Sequence, residues 1–344
     1  MDCQTVLGVE RPIIQAPMAG VQDSALALAV ASAGGLGSLP CGMLSEQALR
    51  EQLTIIDAQT TRPINLNFFC HRTPAIDEVR EARWRALLSP YFLEQGLDAA
   101  EIPAVPSRQP FNHRVADIVE AYQPQVVSFH FGLPEPTLLA RVKSWGATVL
   151  SSATTLQEGL WLQANGADVV IAQGLEAGGH RGMFLSEALT TQQRRSVLLA
   201  QLTDKLSIPV IAAGGIADAS GVAAVLKQGA IAAQLGTAYL LCPEAKTSAL
   251  HRAALASAVG ETAVTNLFTG RPARGIVNRV MEELGAMRDD IPAYPLTSPA
   301  ITALRQHAEQ QGSSDFSPLW CGENRSGCQA LAAAELTRSL VAYK

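Results

Sequence analysis

The stretch IPVIAAGGIADASGVAAVLKQGAIAAQLG, residues 208–236, decides the fold. It opens on an unbroken apolar run, PVIAAGG (209–215), with none of the apolar–polar alternation of a half-exposed strand. A strand that reads this way is buried on both faces, the habit of a parallel sheet covered by helices. ASGVAAVLKQG (219–229) then carries apolar residues at helical spacing and stops at a glycine, as helices commonly do. A second apolar run, AAQLGTAYLL (232–241), follows at once. Strand, helix and strand in so short a span make one β–α–β unit.

Outward from this unit the pattern recurs. Further strands are predicted at 12–19, 36–40, 64–69, 126–132, 147–153 and 169–174, with amphipathic segments such as 24–35 and 155–166 between them. Eight strands alternating with helices is the count of a (β/α)8 TIM barrel. A doubly wound open sheet is the alternative, but its first strand usually leads into G-x-G-x-x-G, and here APMAG (16–20) stands in that place. Two segments break the rhythm: 71–111, helical, polar and too long for a plain βα loop, and 261–344. They are assigned to a small, mostly helical second domain over the barrel mouth, leaving 1–70 and 112–260 as the barrel.

Composition narrows the function. With 48% hydrophobic residues in 344, the chain builds its core without disulfide staples. A net charge of −5 with no block of like charge argues against nucleic acid or an anionic membrane as partner. The six cysteines are scattered and form no C-x-x-C, so reduced thiols in the cytoplasm are expected, and no metal site. MDCQTVLGVERP lacks the profile of a signal peptide, and no apolar run is long enough to span a bilayer.

In a barrel the reacting residues lie at the C-terminal ends of the strands. There the sequence places Asn67, His130, Gln173, Gly214, Gly215 and the run Gln234, Leu235, Gly236, Thr237. Glycines after the seventh and eighth strands let backbone N–H groups approach a phosphate, so a phosphate-bearing ligand is implied, with turn formation as the competing reading. GLEAGGHRG (174–182) follows the sixth strand. Gly178 and Gly179 permit tight turning beside a flat ligand. His180 beside them is a candidate base, because its pKa lies near neutrality. His130 interrupts an apolar strand, where core packing and active-site contact weigh about equally. His71, His113, His251 and His307 lack such a setting and read as surface or structural.

The motifs APMAG (16–20), NLNFF (65–69), SFHFG (128–132), AQGLEAGGHRG (172–182), IPVIAAGGIAD (208–218) and AAQLGTAYL (232–240), in this order, resemble the nitronate monooxygenases. The resemblance runs over residues 8–282, and SFHFG together with AGGHRG is similar to the class I branch. It implies FMN, held without a covalent link at the barrel mouth. Met18 would face the flavin through its backbone, and Asn67 and Gln173 would hydrogen-bond the flavin or its ribityl chain. Gly178, Gly215 and the run Gln234, Leu235, Gly236, Thr237 would hold the phosphate and its surroundings, with Gly179 and Gly214 beside them. His180 is implied as the catalytic base and His130 as a second active-site group. The implied reaction is oxidation of an alkyl nitronate by O2 to a carbonyl compound and nitrite. The resemblance implies a small anion such as propionate 3-nitronate as the physiological substrate. Its carboxylate needs a cation, for which Arg181, Arg271 and Arg274 are the candidates. The implied partners are small molecules only, in a monomer or homodimer. A flavin-dependent NAD(P)H reductase of quinones or enoyl thioesters is the alternative on the same barrel. A flavin-free lyase or isomerase would want a lysine at a strand end, and none of the eight runs holds one. A non-catalytic FMN or phosphate binder is a further reading.

Overall fold

Eight parallel strands close into a barrel: β1 (Ile13–Gln15), β2 (Gly37–Pro40), β3 (Ile64–Phe69), β4 (Val126–His130), β5 (Thr148–Ala153), β6 (Val169–Gln173), β7 (Val210–Ala213) and β8 (Ala232–Leu235). Their order around the sheet is β1-β8-β7-β6-β5-β4-β3-β2, and a parallel bridge from Ile14 to Leu36 brings β1 back beside β2. The computed structural model describes residues 2–98, 102, 108–257 and 260–341. Positions 99–101 and 103–107 of the first predicted insertion, positions 258–259 and the last three residues of the chain lie outside the described residues. Each of the eight predicted runs contains one strand. Runs 12–19, 126–132, 209–215 and 232–241 extend past their strands because the chain stays apolar as it turns into the loops of the barrel mouth.

Successive side chains of a strand point to opposite faces, and here both faces are buried. Along β6, Val169 and Ile171 join the inner cluster with Ile14, Leu36, Val126, Leu150, Ile211 and Ala232, while Val170 and Ala172 pack outward among the helices. This double burial is why the strands read as continuous apolar runs. Cys3, Leu7 and Val9, from the short helix Cys3–Leu7 and the turn after it, complete the inner cluster. The helices that cover the barrel end where glycine permits a left-handed turn: Gly34, Gly166 and Gly229 have φ of 85°, 99° and 98°.

A separate apolar cluster joins the two insertions. Trp84, Leu88 and Phe92 of helix Glu78–Glu94 pack with Ile301 and Leu304 of helix Ser298–Gln310 and with Leu267, Phe268 and Phe316. The indole N–H of Trp84 donates to the Thr297 carbonyl at 3.1 Å. We propose on this ground that the two insertions form one unit. That unit also holds an antiparallel hairpin, Thr262–Thr265 with Ala273–Ile276, whose second strand pairs with Gly179–His180. The chain then returns to the barrel: helix Ala333–Ser339 places Ala333 and Leu336 in the barrel's outer cluster, and the Tyr239 and Thr337 hydroxyls meet at 2.9 Å.

Candidate active site

The alternation that buries apolar side chains low in the barrel delivers polar ones at its mouth. The inward positions at the strand ends are Asn67 on β3, Ser128 and His130 on β4, Ser152 on β5, Gln173 on β6 and Gln234 on β8, and all line one cavity. Met18, Gly178, Gly179, His180, Gly214, Gly215, Leu235, Gly236 and Thr237 line the same cavity. The residues expected to bind the cofactor and the two candidate catalytic histidines are therefore brought to one place, while Arg181, Arg271 and Arg274 do not line the cavity.

Their side chains are not equally free. Leu235 belongs to the helix-facing cluster, which leaves its backbone to the cavity. The Met18 N–H donates to Gln22 Oε1 at 2.8 Å, so the backbone contact expected of it is already taken at the N–H. Gln173 spans its own loop: Nε2 donates to the His180 carbonyl at 2.9 Å and Oε1 accepts from the Gly182 N–H at 2.7 Å. Thr237 Oγ1 accepts from the Gly322 N–H at 2.9 Å. Asn67 Nδ2 donates to Ser128 Oγ at 2.8 Å, while its Oδ1 has no protein partner among the described residues. Gln234 Oε1 is buried with no partner among the described residues. The N–H groups of Gly215 and Gly236 find no acceptor among the described residues, and both residues line the cavity. Unpaired donors beside an unpaired acceptor mark a place for a ligand that is anionic at one end and hydroxyl-bearing next to it.

The GLEAGGHRG loop is gripped from three sides. Below, the fully buried Arg181 donates to the carbonyls of Gly174 (2.7 Å) and Gln173 (2.9 Å) and to Gln192 Oε1 (3.0 Å). Alongside, His180 pairs with Ala273, and Gly179 with Arg274. Above, a Cβ on Gly178 would lie 2.4 Å from the Cys321 carbonyl carbon, so only glycine admits that segment. Gly179 serves the backbone instead, with φ of 69° and nothing within 4 Å of its missing Cβ. The arginines expected to meet a substrate carboxylate are mostly engaged elsewhere, which corrects that expectation. Arg181 holds the loop. Arg274 donates to the Leu175 carbonyl (3.0 Å) and Thr262 Oγ1 (3.1 Å) and pairs with Glu323 (3.2 Å). Arg271 lies 4.0 Å from the centre of the Phe131 ring and donates to the Met183 carbonyl. Phe131 itself sits at φ 72°, a left-handed conformation that is strained for an aromatic residue.

Burial favours the neutral form of both imidazoles. His130 Nε2 faces the His180 carbonyl at 3.2 Å, which can only accept, so the proton is on Nε2 and Nδ1 accepts from Ser152 Oγ at 3.0 Å. Burial, helped by the charges of Arg271 and Arg181, pushes the His130 pKa down to about 4. His180 Nε2 meets Thr269 Oγ1 at 2.9 Å, and burial, then the nearby Arg108 and the other site cations, hold its pKa well below the ordinary value. His71 and His251 are not surface residues. Both are buried, His251 lines the cavity, and His71 lies edge-on to Tyr294 with 4.8 Å between ring centroids.

Sequence reasoning missed Arg108, Ser152, Thr269, Tyr294 and Trp320. Ser152 was legible in principle, at the inward end of a predicted strand. The others come from the second unit, where no strand periodicity points inward. Arg108 lines the cavity, donates to Ser298 Oγ at 2.9 Å and lies 5.7 Å from the Tyr294 ring centre.

The chain is similar to known proteins over nearly its whole length. Residues 3–342 match the family model described as nitronate monooxygenase. A nitronate monooxygenase of Pseudomonas aeruginosa is 39% identical over 98% of this chain and 97% of its own length. One from Paraburkholderia phytofirmans is 40% identical over 97% of this chain and 92% of its own. A crystal structure of nitroalkane oxidase from Streptomyces ansochromogenes superposes with a TM-score of 0.89 at 35% identity, covering 98% of this chain and 96% of that one.

Proposed function

The chain belongs to the nitronate monooxygenase family, and from that premise we propose that it oxidises alkyl nitronates with O2, on FMN held at the barrel mouth, to a carbonyl compound and nitrite. One arrangement carries the reading. His180 stands in the wall of a cavity whose lining, among the described residues, holds no carboxylate and has Arg108 as its sole permanent charge. Such a cavity favours an anion, and a nitronate is one.

The residues fit FMN. Gln234 Oε1 lacks a donor, which a ribityl hydroxyl supplies, and the free N–H groups of Gly215 and Gly236 lack an acceptor, which a phosphate supplies. Gly214 and Gly215, at φ of 109° and 68°, give the loop a backbone that an L side chain would strain. When bound, FMN supplies the electron acceptor and the place where O2 reacts. The chain supplies binding, orientation and a base. A neutral nitroalkane must lose a proton from carbon, and the base we assign to take it is His180, through Nδ1, since its Nε2 meets Thr269; a nitronate has already lost it. Arg108 is the cation nearest at hand for the negative charge, including the carboxylate of propionate 3-nitronate, the substrate we propose. His130 and Gln173 converge on the His180 carbonyl and hold the base in register.

The test separates base from bystander. General base catalysis contributes ~10²- to 10⁴-fold, so His180→Asn loses about that much with nitroethane and far less with ethyl nitronate. FMN released on denaturation is quantified in the same samples. Equal, small losses for both substrates in fully flavinated enzyme reject the base. NADH turnover with a quinone much faster than any nitronate replaces the reaction by the reductase alternative.

A further inference from the structure

We propose that Thr269 is the positioning residue of His180: its hydroxyl fixes which ring nitrogen carries the proton and so leaves Nδ1 as the base. The proposal rests on His180 being the base of the reaction above. Thr269 does not line the cavity and is 2% exposed. Its Oγ1 lies 2.9 Å from His180 Nε2, and its remaining contacts are to the backbone of Arg271, the carbonyl at 3.3 Å and the N–H at 3.4 Å.

The His180 ring is enclosed by Phe131, Tyr294 and Trp320, with centroids at 6.1, 5.6 and 5.6 Å. These rings restrict its position but do not distinguish a nitrogen from a C–H. Among the described residues the Thr269 hydroxyl is the sole hydrogen-bond partner of the ring, so it alone discriminates a flipped imidazole. Nε2 is occupied by Thr269, and the only lone pair left for substrate is on Nδ1. Nδ1 is free when the proton sits on Nε2, which requires the hydroxyl to accept there. It accepts there when its own proton goes to the Arg271 carbonyl at 3.3 Å, the shorter of its two contacts with that residue; the Arg271 N–H at 3.4 Å suits the opposite orientation, which the NMR below distinguishes. Turned the other way, the hydroxyl would donate to Nε2, the ring proton would move to Nδ1, and the imidazole would face the cavity as a donor with no base to offer.

The proton count is simple. The substrate C–H bond breaks, its electron pair stays as the nitronate, and the proton goes to Nδ1. The imidazolium keeps its Nε2–H on Thr269, so nothing has to rearrange. The hydroxyl is placed by the second unit, since the pairing of His180 with Ala273 and the hydrogen bond from the Arg181 N–H to the Pro272 carbonyl (2.8 Å) tie the 269–273 turn to the loop after β6.

The experiment uses full-length, flavin-loaded Thr269→Val and Thr269→Ser. Valine keeps the shape and deletes the hydroxyl; serine restores it. Expected for Thr269→Val is roughly a tenfold or greater loss of kcat/KM with nitroethane, part of the ~10²- to 10⁴-fold a base contributes. With ethyl nitronate the change stays within about twofold, flavin content is unchanged, and Thr269→Ser is close to wild type. An imidazolium that has lost its acceptor is less stable, so the acid limb of the nitroethane pH profile moves to lower pH in Thr269→Val. The groups facing His180, namely His71, His130, Arg108, Arg271 and Tyr294, are unchanged in both variants and do not move that limb. Independently of activity, ¹⁵N NMR of the wild-type His180 ring shows protonated Nε2 and bare Nδ1. Equal losses with both substrates, no loss with either, or a ring protonated at Nδ1 overturns the proposal. If Thr269→Val does not fold, the wild-type NMR and the Thr269→Ser kinetics decide. Should His180→Asn fail to separate the two substrates, the base reading falls and takes this one with it. Should His180→Asn separate them while Thr269→Val does not, only the role of Thr269 falls.

Discussion

At the scale of the residue, four arginines near the cavity have different duties. Arg181 and Arg274 spend their guanidinium groups on loop carbonyls and Glu323. Arg271 lies against Phe131. Arg108 alone among them lines the cavity, and its hydrogen bond goes to the neutral Ser298 hydroxyl, so its charge is available to a ligand. Hydrogen bonds to charged groups contribute ~1.5–3 kcal/mol, which corresponds to roughly 10- to 100-fold in affinity. Arg108→Gln is therefore expected to raise KM for anionic nitronates by about that factor, with the KM of neutral nitroethane nearly unchanged and Arg108→Lys in between. Steady-state kinetics at two salt concentrations checks it. An equal rise for both substrates would mean that Arg108 shapes the cavity and does not read charge.

At the scale of the element, the loop after β6 answers why two glycines precede a histidine. Gly178 makes room for Cys321 and Gly322, and Gly179 makes the turn. The two are separable. In Gly178→Ala the new methyl meets backbone, which cannot swing aside, at an overpacking cost of ~1–3 kcal/mol. The expected result is a lower Tm with faster hydrogen exchange at residues 320–323. Gly179→Ala meets nothing and suffers only the left-handed backbone penalty, ~1–2 kcal/mol, without loosening that segment. Exchange mass spectrometry on both variants distinguishes them; identical profiles would show that residues 320–323 do not depend on Gly178. The SFHFG turn is a comparable element, with Phe131 and Gly132 both at positive φ so that His130 stays inward while Phe131 meets Phe69, Tyr294 and Arg271.

At the scale of the molecule, four enclosed histidines link stability to pH, His180 with its pKa held well below the ordinary value among them. Burial pushes His71, His130 and His251 down to about 4, against an ordinary 6.5 in the unfolded chain. Between those values the unfolded state binds protons that the folded state refuses, so stability is fully present above pH 6.5 and is lost as pH falls toward 4. Tm is expected to drop steeply from pH 7 to 4.5, and His251→Gln to make that drop shallower. Thermal unfolding across the range checks both, and a flat Tm would contradict them.

The barrel was legible in the sequence because it is made by local periodicity. Continuous apolar runs such as VVIAQ announce strands buried on both faces, and the polar residues at their ends, Asn67, His130, Gln173 and Gln234, are carried to one mouth by the fixed alternation of the strand. What the runs did not contain was the second unit's contribution. Thr269, Tyr294 and Arg108 reach the site by long-range packing around Trp84 and by the pairing of Ala273 with His180, and neither leaves a periodic trace. For the same reason Arg181 and Arg271 read alike as arginines beside a site. Burial among carbonyls gave Arg181 to the loop, and packing on Phe131 gave Arg271 to the wall. Sequence by itself determined which residues stand at the mouth; tertiary structure decided which of their polar atoms are left free, because hydrogen bonds between distant segments allot donors and acceptors only once the chain has closed on itself.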